Sequence, residues 1–215
     1  YNTISRTKPN RYFDINGGFN YQRSTRRKGE TITLSYLIST TDQKQHSTTD
    51  YEDQVNVPVP YTGIDNDFNL NFIEHTGQID WTRPINEHNK FDVGSKYINR
   101  RNHSVNDIDY LDDRTEHSDF SHITQVLALY FDYRINYKRF GARAGLRYEY
   151  SRLSAKYKDG SNDPFHSNLS DWVPNAAISY NINDANTLKL SYSSRINRPG
   201  ISQLNPAVVE SPSSI

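Results

Sequence analysis

Apolar and polar residues alternate with a period of two along most of the chain, which is the pattern of β-strands with two different faces. In the first run Phe13, Ile15 and Phe19 belong to one face, and Asp14 and Asn20 belong to the other. The alternation recurs at residues 13–21, 32–38, 76–82, 91–97, 127–135, 142–150, 172–180 and 188–193. The pattern therefore predicts an all-β protein with about eight antiparallel strands.

Charged residues are confined to one face of these runs. None of the apolar-face positions is Asp, Glu, Lys or Arg. The opposite face carries Asp14, Asp80, Asp92, Lys96, Asp132, Arg134, Arg143, Arg147, Glu149 and Lys189. A soluble sandwich shows the same alternation with its apolar face buried. Two features favour lipid instead: aromatic residues gather toward the run ends, and the runs reach about 10 residues, enough for a tilted crossing of roughly 25 Å of hydrocarbon.

The connections between the runs alternate between short and long. Four are short, polar and rich in turn residues: 26–30, 84–89, 136–139 and 183–186. The intervening connections are much longer: 42–66, 102–122 and 155–170. Outer-membrane barrels have short periplasmic turns and long extracellular loops. The chain is therefore predicted to be part of an antiparallel transmembrane β-barrel, with its short turns periplasmic and its long loops extracellular.

Two places break the alternation. The apolar residues within 68–72 fall at even positions, whereas Ile79 and Trp81 fall at odd positions. Either a β-bulge near residues 72–73 resets the phase, or the strand rises above the membrane there. Pro174 lacks the N–H that a central ladder position needs, so we expect it at the beginning of its strand rather than in the middle.

Composition supports a barrel and excludes other classes. The chain is only 34% hydrophobic and has a mean hydropathy of −0.87. It nevertheless holds 16 Tyr, 9 Phe and 2 Trp, whereas disordered chains are poor in aromatic residues. Low mean hydropathy fits a barrel, because each strand is apolar on one face only. The 25 basic residues balance 25 acidic ones, so no net charge attracts nucleic acid, and no nucleic-acid partner is expected.

Two residue types are missing. Without Cys the chain has no disulfide and no thiolate metal site. Without Met it lacks a translation start, so we expect a fragment or a processed product.

The segment 102–122 holds the candidate metal ligands. They are four carboxylates: Asp107, Asp109, Asp112 and Asp113. Hard oxygen ligands at this density suit Ca²⁺, but the spacing lacks the Gly and the terminal Glu of a calcium loop. A solvated acidic loop is the favoured interpretation. The chain has no HExxH spacing and no Gly-x-Ser-x-Gly elbow, so neither a cofactor nor an enzymatic activity is expected.

Five charged residues are candidates for the face that points into the barrel lumen. They are Asp132, Arg134, Arg143, Arg147 and Glu149. The simplest interpretation is a ladder of charges that pairs with neighbouring strands across the lumen wall. The functional alternative is a lining that steers an anionic solute or docks the plug.

Six segments carry a resemblance to a known family. They are residues 125–130 (QVLALY), 140–150 (FGARAGLRYEY), 172–175 (WVPN), 188–195 (LKLSYSSR), 197–200 (NRPG) and 204–206 (LNP). In this order they resemble the outer-membrane β-barrel family of TonB-dependent-receptor type found in Bacteroidetes. The resemblance implies a barrel of about twenty-two strands, of which residues 1–215 would form part of one domain, without the plug and the terminal strand.

The resemblance also implies a location and partners. The location is the outer membrane of a Gram-negative cell, with outer-membrane lipid against the apolar face. The TonB system and a surface lipoprotein would be contacted through parts outside this chain.

Three functions remain open. The first is a receptor that transports a nutrient. The nutrient could be a glycan, a siderophore, a peptide or a cofactor, and the sequence does not distinguish among them. The second is a structural or adhesive surface barrel that binds partners through its loops without energised transport. The third is a soluble β-rich binding module.

Overall fold

The computed structural model describes residues 2–7, 11–52, 62–111, 114–158 and 163–196. No helix in these ranges is long and apolar enough to span a membrane. Their regular elements are the strands β1 Asn2–Thr7, β2 Arg11–Ser24, β3 Thr31–Glu52, β4 Gly63–Pro84, β5 Asn89–Tyr110, β6 Arg114–Tyr137, β7 Phe140–Tyr157, β8 Phe165–Asn181 and β9 Thr187–Ser193. The all-β prediction is confirmed, and each predicted run lies within one of the strands β2–β9.

All the strands belong to one antiparallel sheet. Both β1 and β2 pair with β3, one after the other along its length, so nine strands fill eight positions. Thr7 faces Ser47 whereas Arg11 faces Lys44, so β1 and β2 are out of step by one residue against β3. From β2 to β9 each strand pairs with its sequence neighbours in a single continuous register. This part of the sheet is an uninterrupted meander.

Asparagine side chains shape two of the short turns. In the β4–β5 turn, Oδ1 of Asn86 accepts hydrogen bonds from the backbone N–H groups of His88 and Asn89, both at 2.9 Å. In the β8–β9 turn, Oδ1 of Asn183 accepts a hydrogen bond from the Ala185 N–H at 3.1 Å. Asn favours turns because its short side chain bonds the backbone two residues on. Both turns confirm short connections that the sequence predicts.

The β2–β3 turn is tied to strand β4 through Glu30. Gly29 adopts a positive φ of 81°, which glycine tolerates without steric cost. The Glu30 carboxylate accepts hydrogen bonds from the Thr25 hydroxyl and, at 3.1 Å, from Nε1 of Trp81. The hydrogen bond from Thr25 is the main cause that holds the pKa of Glu30 below its usual value, and Trp81 and nearby Arg83 act in the same direction.

The long connections are much shorter than the sequence predicts. Strands β3 and β4 extend into 42–66, β5 and β6 into 102–122, and β7 and β8 into 155–170. Only Leu111 and residues 112–113 separate β5 from β6. The predicted bounds of these connections were wrong, because the strands continue into segments whose outward face is no longer apolar. Ladder hydrogen bonds between backbone groups do not require an outward apolar face.

The change of phase in β4 involves no bulge. Its ladder with β3 runs without a break from the pair Asp50–Gly63 to the pair Thr31–Thr82, and its ladder with β5 is equally regular. The bulge predicted near residues 72–73 is therefore absent from both ladders. The apolar residues within 68–72 lie on the opposite face from Ile79 because the strand passes from one environment into another.

Pro174 lies in the middle of β8, not at its beginning. Its carbonyl accepts a hydrogen bond from the Ser194 N–H at 3.2 Å, just past the end of β9. The N–H and C=O of a strand residue point toward the same neighbour, so the missing N–H also faces the β9 side. Pro174 therefore removes no hydrogen bond from the β7–β8 ladder, and the position tolerates it.

Side chains are buried on one face of the sheet. Apart from Glu30, every buried hydrophobic or polar side chain belongs to this face, including Phe120, Val126, Glu149 and Leu153. Side chains crowd together on the inner side of a curved sheet, so we call this the concave face. It carries all the charged strand residues that the sequence assigns to the polar face.

The convex face carries the apolar runs. Its alternate residues form an apolar band at 13–21, 32–38, 77–81, 91–97, 127–135, 142–150, 172–180 and 188–192. Aromatic rings pack at both margins: Trp81 contacts Phe91 edge-on at 5.2 Å near the short turns, and Tyr148 contacts Trp172 at 4.9 Å near the other margin. The part of the band on β6 is about 30 Å long along the strand, which suits a tilted crossing of the hydrocarbon layer.

Strands β3 to β6 continue well past the band. They contain 22 to 24 residues, about twice what a tilted membrane crossing needs. The parts of β3 to β7 beyond the band, at the end away from the short turns, are called the extension: residues 39–52, 63–76, 98–110, 114–126 and 151–157. In the extension the convex face becomes mostly polar, whereas the concave face combines apolar residues such as Phe72 and Phe120 with polar ones such as Asn102 and His122.

Candidate functional site

The five predicted lumen residues all lie on the concave face. Asp132 and Arg134 belong to β6, and Arg143, Arg147 and Glu149 belong to β7. Nε of Arg143 donates to Asp132 at 2.8 Å, and Nε of Arg147 donates to the buried carboxylate of Glu149. Arg143 therefore pairs with the neighbouring strand β6, whereas Arg147 and Glu149 pair with each other within β7.

Like charges face each other across the strands, and diagonal pairs neutralise them. Arg134 lies directly opposite Arg143, and Asp92 lies directly opposite Asp132. Arg134 donates to Asp92 at 2.7 Å, while Arg143 bonds Asp132. The hydroxyl of Thr82 also donates to Asp92, at 2.6 Å. Directly opposed like charges destabilise a sheet, and the two diagonal ion pairs offset that repulsion.

Tyr130 belongs to the same network, and sequence reasoning missed it. Its side chain passes over Gly94 of β5, and its hydroxyl donates to Asp80 of β4. Nε2 of Gln78 donates to the same hydroxyl at 3.0 Å. The Arg147 guanidinium lies 5.6 Å from the centre of the Tyr130 ring. The sequence feature that allows this contact is Gly94, which pairs with Asp80 on one side and with Tyr130 on the other.

A cavity opens beside Tyr130 on the concave face. Its volume is about 450 Å³ and its lining includes Gln78, Asp80, Lys96 and Asn175. These side chains present amide, carboxylate and ammonium groups within one space. The lining of this open cavity therefore presents both hydrogen-bond donors and acceptors.

The concave face of the extension has a different character. Phe120 of β6 is buried, lies 5.0 Å from the ring of Tyr157 and is stacked with His122 at 6.3 Å. Leu153 and Ala155 of β7 are buried beside them. Beyond the band the concave wall therefore adds buried aromatic and apolar side chains to charged ones, which include the ion pair of Arg100 with Glu74.

The four candidate calcium ligands do not lie together in a loop that the structure describes. Asp107 and Asp109 lie within β5, where Asp107 is 2.5 Å from Nδ1 of His117. Asp112 and Asp113 lie outside the described residues. Among the residues that the structure describes, no three His, Asp or Glu side chains are grouped closely enough to hold a metal ion. The motifs at 197–200 and 204–206 also lie outside the described residues.

Glu149→Gln will destabilise the wall, because it removes the carboxylate that pairs with Arg147 in a nearly dry position. Glu149 is 7% exposed, so we expect a loss of about 1–3 kcal/mol of unfolding free energy. Asp171 lies opposite Glu149 on β8, and Asp171→Asn is the matched control. It relieves a like-charge contact, so we expect no loss. Urea titration of the complete protein in lipid measures both. An equal loss in the two variants would contradict the importance of the Arg147 pair.

Comparison with known proteins identifies the architecture. A model of the outer membrane protein beta-barrel family matches residues 23–214. No curated relative matches the sequence. The fold is similar to that of the ferric citrate transporter FecA in its unliganded form, with a TM-score of 0.65 and 13% identity over 80% of this chain. It is also similar to BauA, the ferric preacinetobactin receptor from Acinetobacter baumannii, with a TM-score of 0.57 and 10% identity over 80% of this chain.

Both similarities concern only part of the larger proteins. The chain spans 25% of the FecA chain and 29% of the BauA chain. At such low identity the similarity extends to the fold alone.

Proposed function

Because the chain belongs to the outer membrane protein beta-barrel family, we propose that it forms part of the wall of a receptor for TonB-dependent uptake of a nutrient. Its location is the cell outer membrane. The apolar band meets lipid, and the concave face lines the path of the solute.

The charged concave wall is the observation that supports transport most strongly. A barrel whose inside is only structural can fill it with packed side chains. Here the wall alongside the band keeps a polar cavity of about 450 Å³ next to Asp80, Lys96 and Arg147. A polar solute, or a plug that must be displaced to admit one, would find donors and acceptors there.

The similar structures agree with this proposal at the level of architecture. FecA is named as a transporter of ferric citrate, and BauA as a receptor for ferric preacinetobactin. The class of nutrient taken up by this protein is left to experiment. The TonB system and a surface lipoprotein would be partners of the complete protein through segments other than this wall.

Uptake in the native organism tests the proposal. We expect a strain without the gene to lose growth on one class of nutrient, drawn from glycans, siderophores, peptides and cofactors. Loss of TonB activity should abolish uptake of the same nutrient, and the restored wild-type gene should recover it. If the deletion strain takes up every class at the wild-type rate but loses adhesion to a surface partner, the structural or adhesive alternative is correct.

A further inference from the structure

The convex face changes abruptly where the extension begins. On β7 the last residue of the band is Tyr150, and the next residue on the same face is Arg152. On β5 the band ends at Tyr97, and Asn99 and then Arg101 follow on that face. These positions lie at the boundary between the hydrocarbon and the polar headgroups.

Cations at this boundary lack acidic partners. Arg101 and Arg152 are exposed, and neither of them forms an ion pair with any residue that the structure describes. The nearby carboxylate of Asp119 is already engaged, by His103 at 2.8 Å and Lys158 at 3.7 Å. The boundary therefore carries an excess of positive charge.

The arginines on the concave face behave differently. Arg100, Arg134, Arg143 and Arg147 each have a carboxylate partner. The fold thus neutralises its arginines on the inner wall and leaves those at the outer boundary unpaired. An unpaired cation next to a lipid surface is attracted to anionic headgroups by roughly 1 kcal/mol.

We propose that Arg101 and Arg152 bind the phosphate groups of anionic lipids at this margin of the apolar band. Arg101 and Arg152 lie on strands separated only by β6, so their backbones are about 10 Å apart across the sheet. Along the strands they are offset by two residues, because Arg101 lies opposite Ile123 of β6 whereas Arg152 lies opposite Gln125. Two guanidinium groups at that spacing can hold one phosphorylated headgroup or two neighbouring ones. This inference rests on the membrane location and is independent of transport.

Lipid selectivity in defined vesicles tests the proposal. The complete protein is reconstituted in phosphatidylcholine with a small proportion of spin-labelled phosphatidic acid or spin-labelled phosphatidylcholine, and the motionally restricted fraction of each probe is measured. We expect the wild-type protein to prefer phosphatidic acid. R152Q should reduce that preference by about fivefold, R101Q/R152Q should abolish most of it, and added salt should weaken it.

The matched control removes two cations from the other face. Lys90 and Lys189 lie on the concave face and form no ion pair in the described part of the chain, so K90Q/K189Q should retain the preference. Heat-dependent migration on gels verifies that each variant is folded, and R152Q serves if the double variant is not. The proposal is overturned if R152Q keeps the wild-type preference, or if K90Q/K189Q loses as much as R101Q/R152Q. Binding of an acidic protein without any preference for phosphatidic acid would also overturn it.

Discussion

Replacing Gly94 with alanine will destabilise the barrel wall and break the side-chain hydrogen bonds that join Tyr130 of β6 to β4. A Cβ atom at position 94 would lie only 2.3 Å from the ring of Tyr130, and the ring is held there by its hydroxyl contacts with Asp80 and Gln78. The ring must therefore swing away and give up those hydrogen bonds. We expect a loss of about 1–3 kcal/mol from overpacking and a lower melting temperature of the complete protein in lipid.

Two further variants isolate this contact. Gly77 of the neighbouring strand has no atom within 4 Å of an added Cβ, so Gly77→Ala should leave the melting temperature nearly unchanged. In the double variant G94A/Y130A the ring is absent, so the glycine substitution should cost much less than it does alone. If G94A and G77A have the same effect, Tyr130 does not depend on the space above Gly94.

Leu190→Arg will prevent stable insertion in the membrane. Leu190 lies in the middle of the β9 part of the apolar band and is 73% exposed on the convex face. A charged arginine at the midplane of a barrel strand costs about 2–4 kcal/mol. We expect the variant to lose its heat-dependent gel migration and to be recovered outside the outer-membrane fraction.

Ser191→Arg is the matched control for the lipid-facing position. Ser191 is the next residue of β9 and lies on the concave face. The same arginine there meets polar surroundings, so insertion should be normal. If S191R fails to insert while L190R inserts normally, the two faces of the sheet have been assigned the wrong way round.

Alternation was sufficient to predict the faces of the strands within the membrane. A residue's position in the two-residue period decides on which face of the sheet its side chain lies, so Arg143, Arg147 and Glu149 could be assigned to one common face from the sequence. The short turns were predictable for a similar reason, because residues such as Asn86 and Asn183 shape them through local hydrogen bonds. Neither inference required knowledge of how distant strands pair.

The extension and the Tyr130 contact were not predictable in this way. In the extension the convex face is mostly polar, so alternation of apolar and polar residues does not mark an outward apolar face there. The pairing of Gly94 with Tyr130 depends on the register of β5 and β6, which is set by the connection between Tyr110 and Arg114. Because that segment was interpreted as part of a long loop, the register remained undetermined, and Tyr130 was not assigned to the polar network.

The meander of β2 to β9 has a kinetic consequence. Apart from β3, which also pairs with β1, each of these strands pairs only with strands adjacent in sequence. The closest pairs therefore lie beside short turns, as Pro84 and Lys90 do, and the most distant ones lie in the extension, as Ile64 and Tyr110 do. Closing a short loop costs less entropy than closing a long one. Strand pairing in each of the four hairpins with a short turn can therefore begin at the turn and extend away from it. The lipid-facing half of each hairpin forms early, and the polar-sided half that projects from the membrane is completed last.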